Sequence, residues 1–196
     1  MIRSSIIKNA YFTSSQDGDI KKVLKNIKSS VNFAGMKQTH SSDVKIINSK
    51  GIYNSDGIET NTQDLPLVVR VADCIPILMQ SNNLISAVHA GWRGINSSIF
   101  EKSLKNHNFK SLKISIGPHA KECCYEVKGD LKQLFPSSTI ELNGRFYLNL
   151  RKRIEEFCVK ENIELEVSNQ CTICDDSYYS YRKTSTIQRQ FGIIWQ

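Results

Sequence analysis

Three residues carry the chemistry available to this chain: His40 in Gln38-Thr39-His40, Cys74 in Ala72-Asp73-Cys74, and His89 in His89-Ala90-Gly91-Trp92-Arg93-Gly94. Two imidazoles and one thiolate are the ligand set of a catalytic zinc that keeps a coordination position open. The same atoms suit two other chemistries. A cysteine beside a histidine base is a nucleophile for amide hydrolysis, and imidazole with thiolate also binds copper. Multicopper chemistry asks for many more histidines than the four present, His40, His89, His107 and His119.

The neighbours of the trio extend the chemistry. Asp73 is a candidate catalytic residue, as orienter of a ligand or carrier of a proton. Arg93 is a candidate phosphate or transition-state clamp. Gly91 and Gly94 are costly choices at a strand end unless something approaches closely there. His119, after Gly117-Pro118, is a candidate to reach a substrate pocket, whereas His107 reads as a solvated histidine at a helix end. Cys171-x-x-Cys174 is half of a structural zinc site. Its partner Cys123-Cys124 is a poor second half, because adjacent side chains on a strand face opposite ways. The four are therefore expected to be structural thiols beside the site.

The elements that must position these residues can be read from periodicity. An amphipathic helix is predicted over residues 18–29, with Ile20, Val23, Leu24 and Ile27 on one stripe. Short strands are predicted at 44–47, 65–71 (running into Ala72-Asp73-Cys74), 75–79 and 84–88, the last delivering His89. A helix is predicted from after Gly94 to about His107, burying Ile95, Ile99, Phe100 and Leu104. Leu112–Ile116 is a further strand, 148–161 an amphipathic helix, and 163–167 and 191–195 late strands. Strands outnumber crossover helices, so the expected class is α/β or α+β with a mixed sheet rather than a doubly wound parallel one. If the strands holding Cys74 and His89 pair through Ser81-Asn82-Asn83, their outer ends meet only when both arms have matched length. On its own residues, His40 is a surface loop histidine.

Composition bounds the class. The 196 residues suit a single domain spanning 1–196, with 40% hydrophobic and 23% charged residues. No apolar run has transmembrane length and the start is too short for a signal peptide, so a cytoplasmic location and no membrane partner are expected. Six cysteines in such a chain are expected to stay reduced. The net charge is +7, but no aromatic residues interleave with the basic ones, so no nucleic-acid partner is expected.

Seven motifs in order resemble one family. They are Gln38-Thr39-His40, Ala72-Asp73-Cys74-Ile75-Pro76, Ala87-Val88-His89-Ala90-Gly91-Trp92-Arg93-Gly94, Ile116-Gly117-Pro118-His119, Cys123-Cys124-Tyr125-Glu126-Val127, Cys171-Thr172-Ile173-Cys174-Asp175 and Tyr179-Ser180-Tyr181-Arg182. Across roughly residues 35–196 the chain resembles the YfiH family, whose members have been called laccase-domain proteins, multicopper polyphenol oxidases, peptidoglycan editing factors and purine nucleoside phosphorylases. The resemblance implies an α+β fold of four layers, α/β/β/α with mixed sheets. It implies a zinc held by His40, Cys74 and His89, with copper the other candidate metal. It further implies a purine nucleoside and phosphate as partners: phosphorolysis of adenosine, inosine, guanosine and 5′-methylthioadenosine, and deamination of adenosine, in a monomer or small homo-oligomer. A cysteine hydrolase editing peptidoglycan precursors and a copper-dependent polyphenol oxidase are the alternatives. The family's Thr-Arg-x-Gly-Gly opening is here Phe12-Thr13-Ser14-Ser15-Gln16-Asp17-Gly18, without the arginine. Its late Thr-Gly-Arg-Gln is here Ile187-Gln188-Arg189-Gln190.

Overall fold

The computed structural model describes residues 1–29 and 31–196. Two six-stranded sheets face one another. In the first the strand order is Ile2–Arg3, Ala10–Phe12, Gln190–Ile194, Leu67–Val71, Ala34–Lys37, Gly51–Asn54. In the second it is Glu164–Val167, Lys113–Ile116, Ile75–Ser81, Leu84–Ala90, Gly57–Thr60, Val44–Ile46. A small third sheet joins Glu126–Val127, Arg145–Leu148 and Thr139–Leu142. Parallel and antiparallel pairs occur in both large sheets.

The alternation of side chains along each strand explains the layering. In Leu67–Val71, the side chains of Leu67, Val69 and Val71 join Leu78, Ile85 and Ala87 of the facing sheet in one core. Val68 points the other way, packing with Ile193 and Trp195 against Val23 and Leu24 of the helix Ile20–Lys28. On the outer face of the second sheet, Ile75, Ile77, Met79 and Val88 meet Ile95, Ile99, Phe100, Ile154 and Cys158 from helices. The order is thus helix, sheet, sheet, helices, the four-layer α+β arrangement. Each fully buried aliphatic side chain contributes about 1.5–3 kcal/mol. Three apolar layers, not one, hold the domain.

The first helix begins where Asp19 accepts from the amides of Lys21 and Lys22, and ends at Ser29 in the left-handed conformation. The helix expected from 95 to 107 is two short ones, Trp92–Asn96 and Ile99–Ser103. The break falls at Ser98, whose φ is +64°. Ile95, Ile99, Phe100 and Leu104 are all buried despite the break. Among the described residues no helix is long and apolar enough to cross a membrane.

Candidate metal centre and anion cavity

Three times the chain passes from the first sheet to the second at the same end. It does so between Ala34–Lys37 and Val44–Ile46, between Gly51–Asn54 and Gly57–Thr60, and between Leu67–Val71 and Ile75–Ser81. The first-sheet strands of these passages run parallel, which is why all three leave at one rim. His40 lies in the first passage, Asp56 in the second and Cys74 in the third. His89 comes from the antiparallel strand Leu84–Ala90. Its register with Ile75–Ser81 is unbroken, with Ile75 opposite Ala90 and Pro76 opposite His89. The two arms are therefore matched, and Cys74 and His89 meet on the face turned toward the other sheet.

Ligand atoms of His40, Cys74 and His89 all lie within 4.8 Å of one another. Cys74 Sγ is 3.7 Å from His40 Nε2, and the two imidazoles meet edge to face with centroids 4.8 Å apart. Asp56, fully buried, organises both histidines. It accepts from His89 Nδ1 at 2.7 Å, leaving Nε2 for a metal. It also accepts from the backbone amides of Thr39, His40 and Ser41 at 3.1, 3.0 and 2.7 Å and from the Ser41 hydroxyl at 2.7 Å. His40 has φ +62°. This left-handed residue curls three successive amides into a nest around the carboxylate. Sequence reading missed Asp56, because Ser55-Asp56-Gly57 between two strands reads as an ordinary turn.

The electrostatics are those of a cation site. Burial alone would push the Cys74 thiol up, but its hydrogen bonds with His40 and His89 and their positive charge bring it down to about 6. Burial alone would lower His89, but Asp56 and the Cys74 sulfur raise it to about 9. Between those values a thiolate faces an imidazolium, and a bound cation would take the place of the imidazolium proton. Soft sulfur with two imidazoles, one held by a carboxylate, fits zinc.

Gly91 supplies the room. A Cβ there would stand 3.0 Å from both Cys74 Sγ and His40 Cδ2. Its φ of −80° is open to any residue, so space alone requires glycine. Gly91→Ala is expected to weaken zinc binding by roughly 10–100-fold, the scale for disturbing a ligand's surroundings. Competition with a chromophoric chelator measures this, and unaltered affinity would mean that the ligands have room to spare.

The trio forms part of the wall of a cavity of about 630 Å³. Four guanidiniums line it: Arg70, Arg93, Arg182 and Arg189. Arg93 lies over the Trp92 ring at 4.2 Å and Arg182 over the Tyr125 ring at 4.7 Å. None of the four is ion-paired among the described residues. Only Arg93 was singled out from sequence. Arg70 carried a readable signal, as the one charge in Leu67-Val68-Val69-Arg70-Val71.

Other expectations need correction. Asp73 lines the cavity, but both its oxygens are engaged, one by the Thr172 hydroxyl and one by the Arg182 amide, each at 2.7 Å. It anchors the Tyr181–Thr184 helix rather than standing free to carry protons. His119 does not line the cavity. The turn at Gly117-Pro118 folds it inward to bridge Cys171, and its Nδ1 donates to the Gly117 carbonyl at 2.8 Å. Burial, with the nearby Arg151 and Lys121 charges, pushes it down to about 4. His107 is buried, not solvated, between the Ser81 and Ser86 hydroxyls at 2.7 and 2.6 Å. Burial lowers it to about 4 as well. Cys123, Cys124, Cys171 and Cys174 come together in a second cluster.

The sequence profile described as multi-copper polyphenol oxidoreductase laccase matches residues 15–196. A purine nucleoside phosphorylase of Aquifex aeolicus is 34% identical over 143 residues, 71% of this chain and 69% of that protein. Another, from Clostridium acetobutylicum, is 33% identical over 176 residues, 81% of this chain and 75% of that one. The crystal structure of the hypothetical protein YfiH of Bacillus licheniformis superposes with a TM-score of 0.81 at 22% identity, covering 89% of this chain and 78% of its own. Fold, profile and relatives place this chain in the YfiH, or laccase-domain, family.

Proposed function

We propose that this chain is a zinc-dependent purine nucleoside phosphorylase. The observation that carries the reading is three side chains able to ligate one metal ion and, in the wall of the same cavity, four guanidiniums that form no ion pair among the described residues. The related phosphorylases support a nucleoside-processing enzyme of this kind. His40, Cys74 and His89 would hold the metal, which when bound supplies Lewis acidity near neutral pH. Arg93, Arg70, Arg182 and Arg189 hold and orient phosphate, with guanidinium forks matched to its oxygens. A phosphate oxygen then bonds to the anomeric carbon of the ribose. The bond to the base nitrogen breaks, its electron pair stays with the base, and the base takes up the proton that dihydrogen phosphate gives up as the ester forms. Trp92 and Tyr125 give the cavity apolar faces, and burial keeps the Tyr125 hydroxyl protonated by raising its pKa.

The substrates read from the family motifs are adenosine, inosine, guanosine and 5′-methylthioadenosine. Deamination of adenosine is the second activity of the same centre. Zinc-loaded protein given adenosine and phosphate is expected to yield adenine and ribose 1-phosphate, with inosine accumulating when phosphate is withheld. Absence of all three products would sink the proposal. A cysteine-hydrolase reading is favoured by one observation, Cys74 Sγ standing 3.7 Å from His40 Nε2, a base within reach of the thiol. Activity that survives a chelator would select that reading. A multicopper centre is disfavoured by donors, since His107 and His119 are buried outside the cavity lining.

A further inference from the structure

The four remaining clustered cysteines bear on more than packing. The sulfurs of Cys123, Cys124, Cys171 and Cys174 lie within 4.8 Å of one another, and those of Cys123 and Cys174 are 3.9 Å apart. A tetrahedral ion with metal–sulfur bonds of about 2.3 Å sets its sulfurs about 3.8 Å apart. All four cysteines are free, so no disulfide accounts for the cluster.

The objection from sequence was that Cys123 and Cys124 are neighbours. It holds for a strand, where successive side chains differ by half a turn. These two are not on a strand. The amides of Cys124 and Tyr125 both donate to the Lys121 carbonyl, at 3.0 and 2.8 Å, winding the segment into a helical turn. Successive side chains there differ by about 100°, so both sulfurs can address one point. Across from it, Cys171 and Cys174 sit on a turn closed by the Asp175 amide donating to the Cys171 carbonyl at 3.0 Å. The Lys121 amide donates to Cys171 Sγ at 3.4 Å, as amides do to metal thiolates.

We propose that Cys123, Cys124, Cys171 and Cys174 bind a second, structural zinc ion, closed by four thiolates and separate from the three-ligand centre. Its position gives it a task. Thr172, within the Cys171–Cys174 turn, holds Asp73 next to Cys74. Tyr125, directly after Cys124, carries the Arg182 guanidinium on its ring. The ion fastens together the two loops that form this wall of the cavity. It replaces hydrophobic packing that the exposed Cys123 and Cys174 cannot provide.

Full-length protein purified in reductant with zinc, then freed of excess metal, is expected to hold two zinc ions per chain. Cys74→Ala should hold one, Cys171→Ser one, and the combined variant none. X-ray absorption at the zinc edge of Cys74→Ala should show four sulfur neighbours at about 2.3 Å. That arm leaves the cluster untouched, so it decides the matter even if Cys171→Ser does not fold. A zinc-free Cys74→Ala protein, nitrogen among the neighbours of its zinc when it holds a single ion, or a disulfide within the cluster in the reduced-handled protein would overturn the proposal. Should Cys74→Ala keep the wild-type zinc content, the three-ligand reading fails instead. Loss of one ion in Cys171→Ser would then still establish the second site, and no loss would overturn it.

Discussion

Asp56→Ala is expected to lose both the metal and much of the stability of the fold. The carboxylate is fully buried and accepts from one imidazole, two hydroxyls and three amides. Removing it strands these donors, and breaking a buried charged network costs roughly 3–5 kcal/mol. His89 loses the partner that directs its Nε2 outward. The loop that keeps His40 left-handed loses the contacts that offset its backbone strain. Zinc affinity should fall by at least about 100-fold, the upper end for loss of a ligand-orienting carboxylate. Asp56→Asn should fall between, because its amide accepts at one oxygen while its NH₂ opposes the converging donors. Thermal melting and zinc competition measure both effects, and a variant that melts and binds as wild type does would remove Asp56 from the site. Burial raises the Asp56 carboxyl, but its hydrogen bonds from His89, Ser41 and Thr39 outweigh this and hold it well below its ordinary 3.8. Its contribution is therefore complete above about pH 4 and is lost as pH falls toward its depressed folded value.

Cys74→Ala should abolish turnover by a factor of about 10³ or more, since it removes several kcal/mol of charge stabilisation at about 1.4 kcal/mol per tenfold. The informative companion is Cys74→Asp. A carboxylate can ligate zinc but cannot replace a thiolate nucleophile. Partial recovery of phosphorolysis in Cys74→Asp, with zinc retained, is the result expected of a metal centre. An equally dead Cys74→Asp that still binds zinc would point to the sulfur as the reacting atom.

Much of the fold was legible where one period dominates. The stripe Ile20, Val23, Leu24 and Ile27 marked its helix, and the apolar runs at 65–71, 75–79 and 84–88 marked the central strands, the first of which starts two residues later, at Leu67. Ala34–Lys37, Gly51–Asn54 and Gly57–Thr60 were not read, because Gly-rich stretches of four residues are too short to display alternation. With them went the two passages that place His40 and Asp56. Cys74 and His89 stood out by their strand ends, but their meeting depends on a register that sequence does not print. His107 was misread because its two serine partners lie more than twenty residues away. The cavity arginines come from four separate segments, so no local pattern could gather them.

The rim location of the three candidate metal ligands has a consequence for the whole fold. His40 and Cys74 ride on segments that leave one sheet for the other, and His89 belongs to the second sheet alone. An ion held by all three would act as a rivet across the sandwich. Occupancy and folding are then thermodynamically linked, and zinc at 100 times its dissociation constant adds about 2.7 kcal/mol to the folded state. Metal supply would set how long the protein endures as well as how fast it turns over.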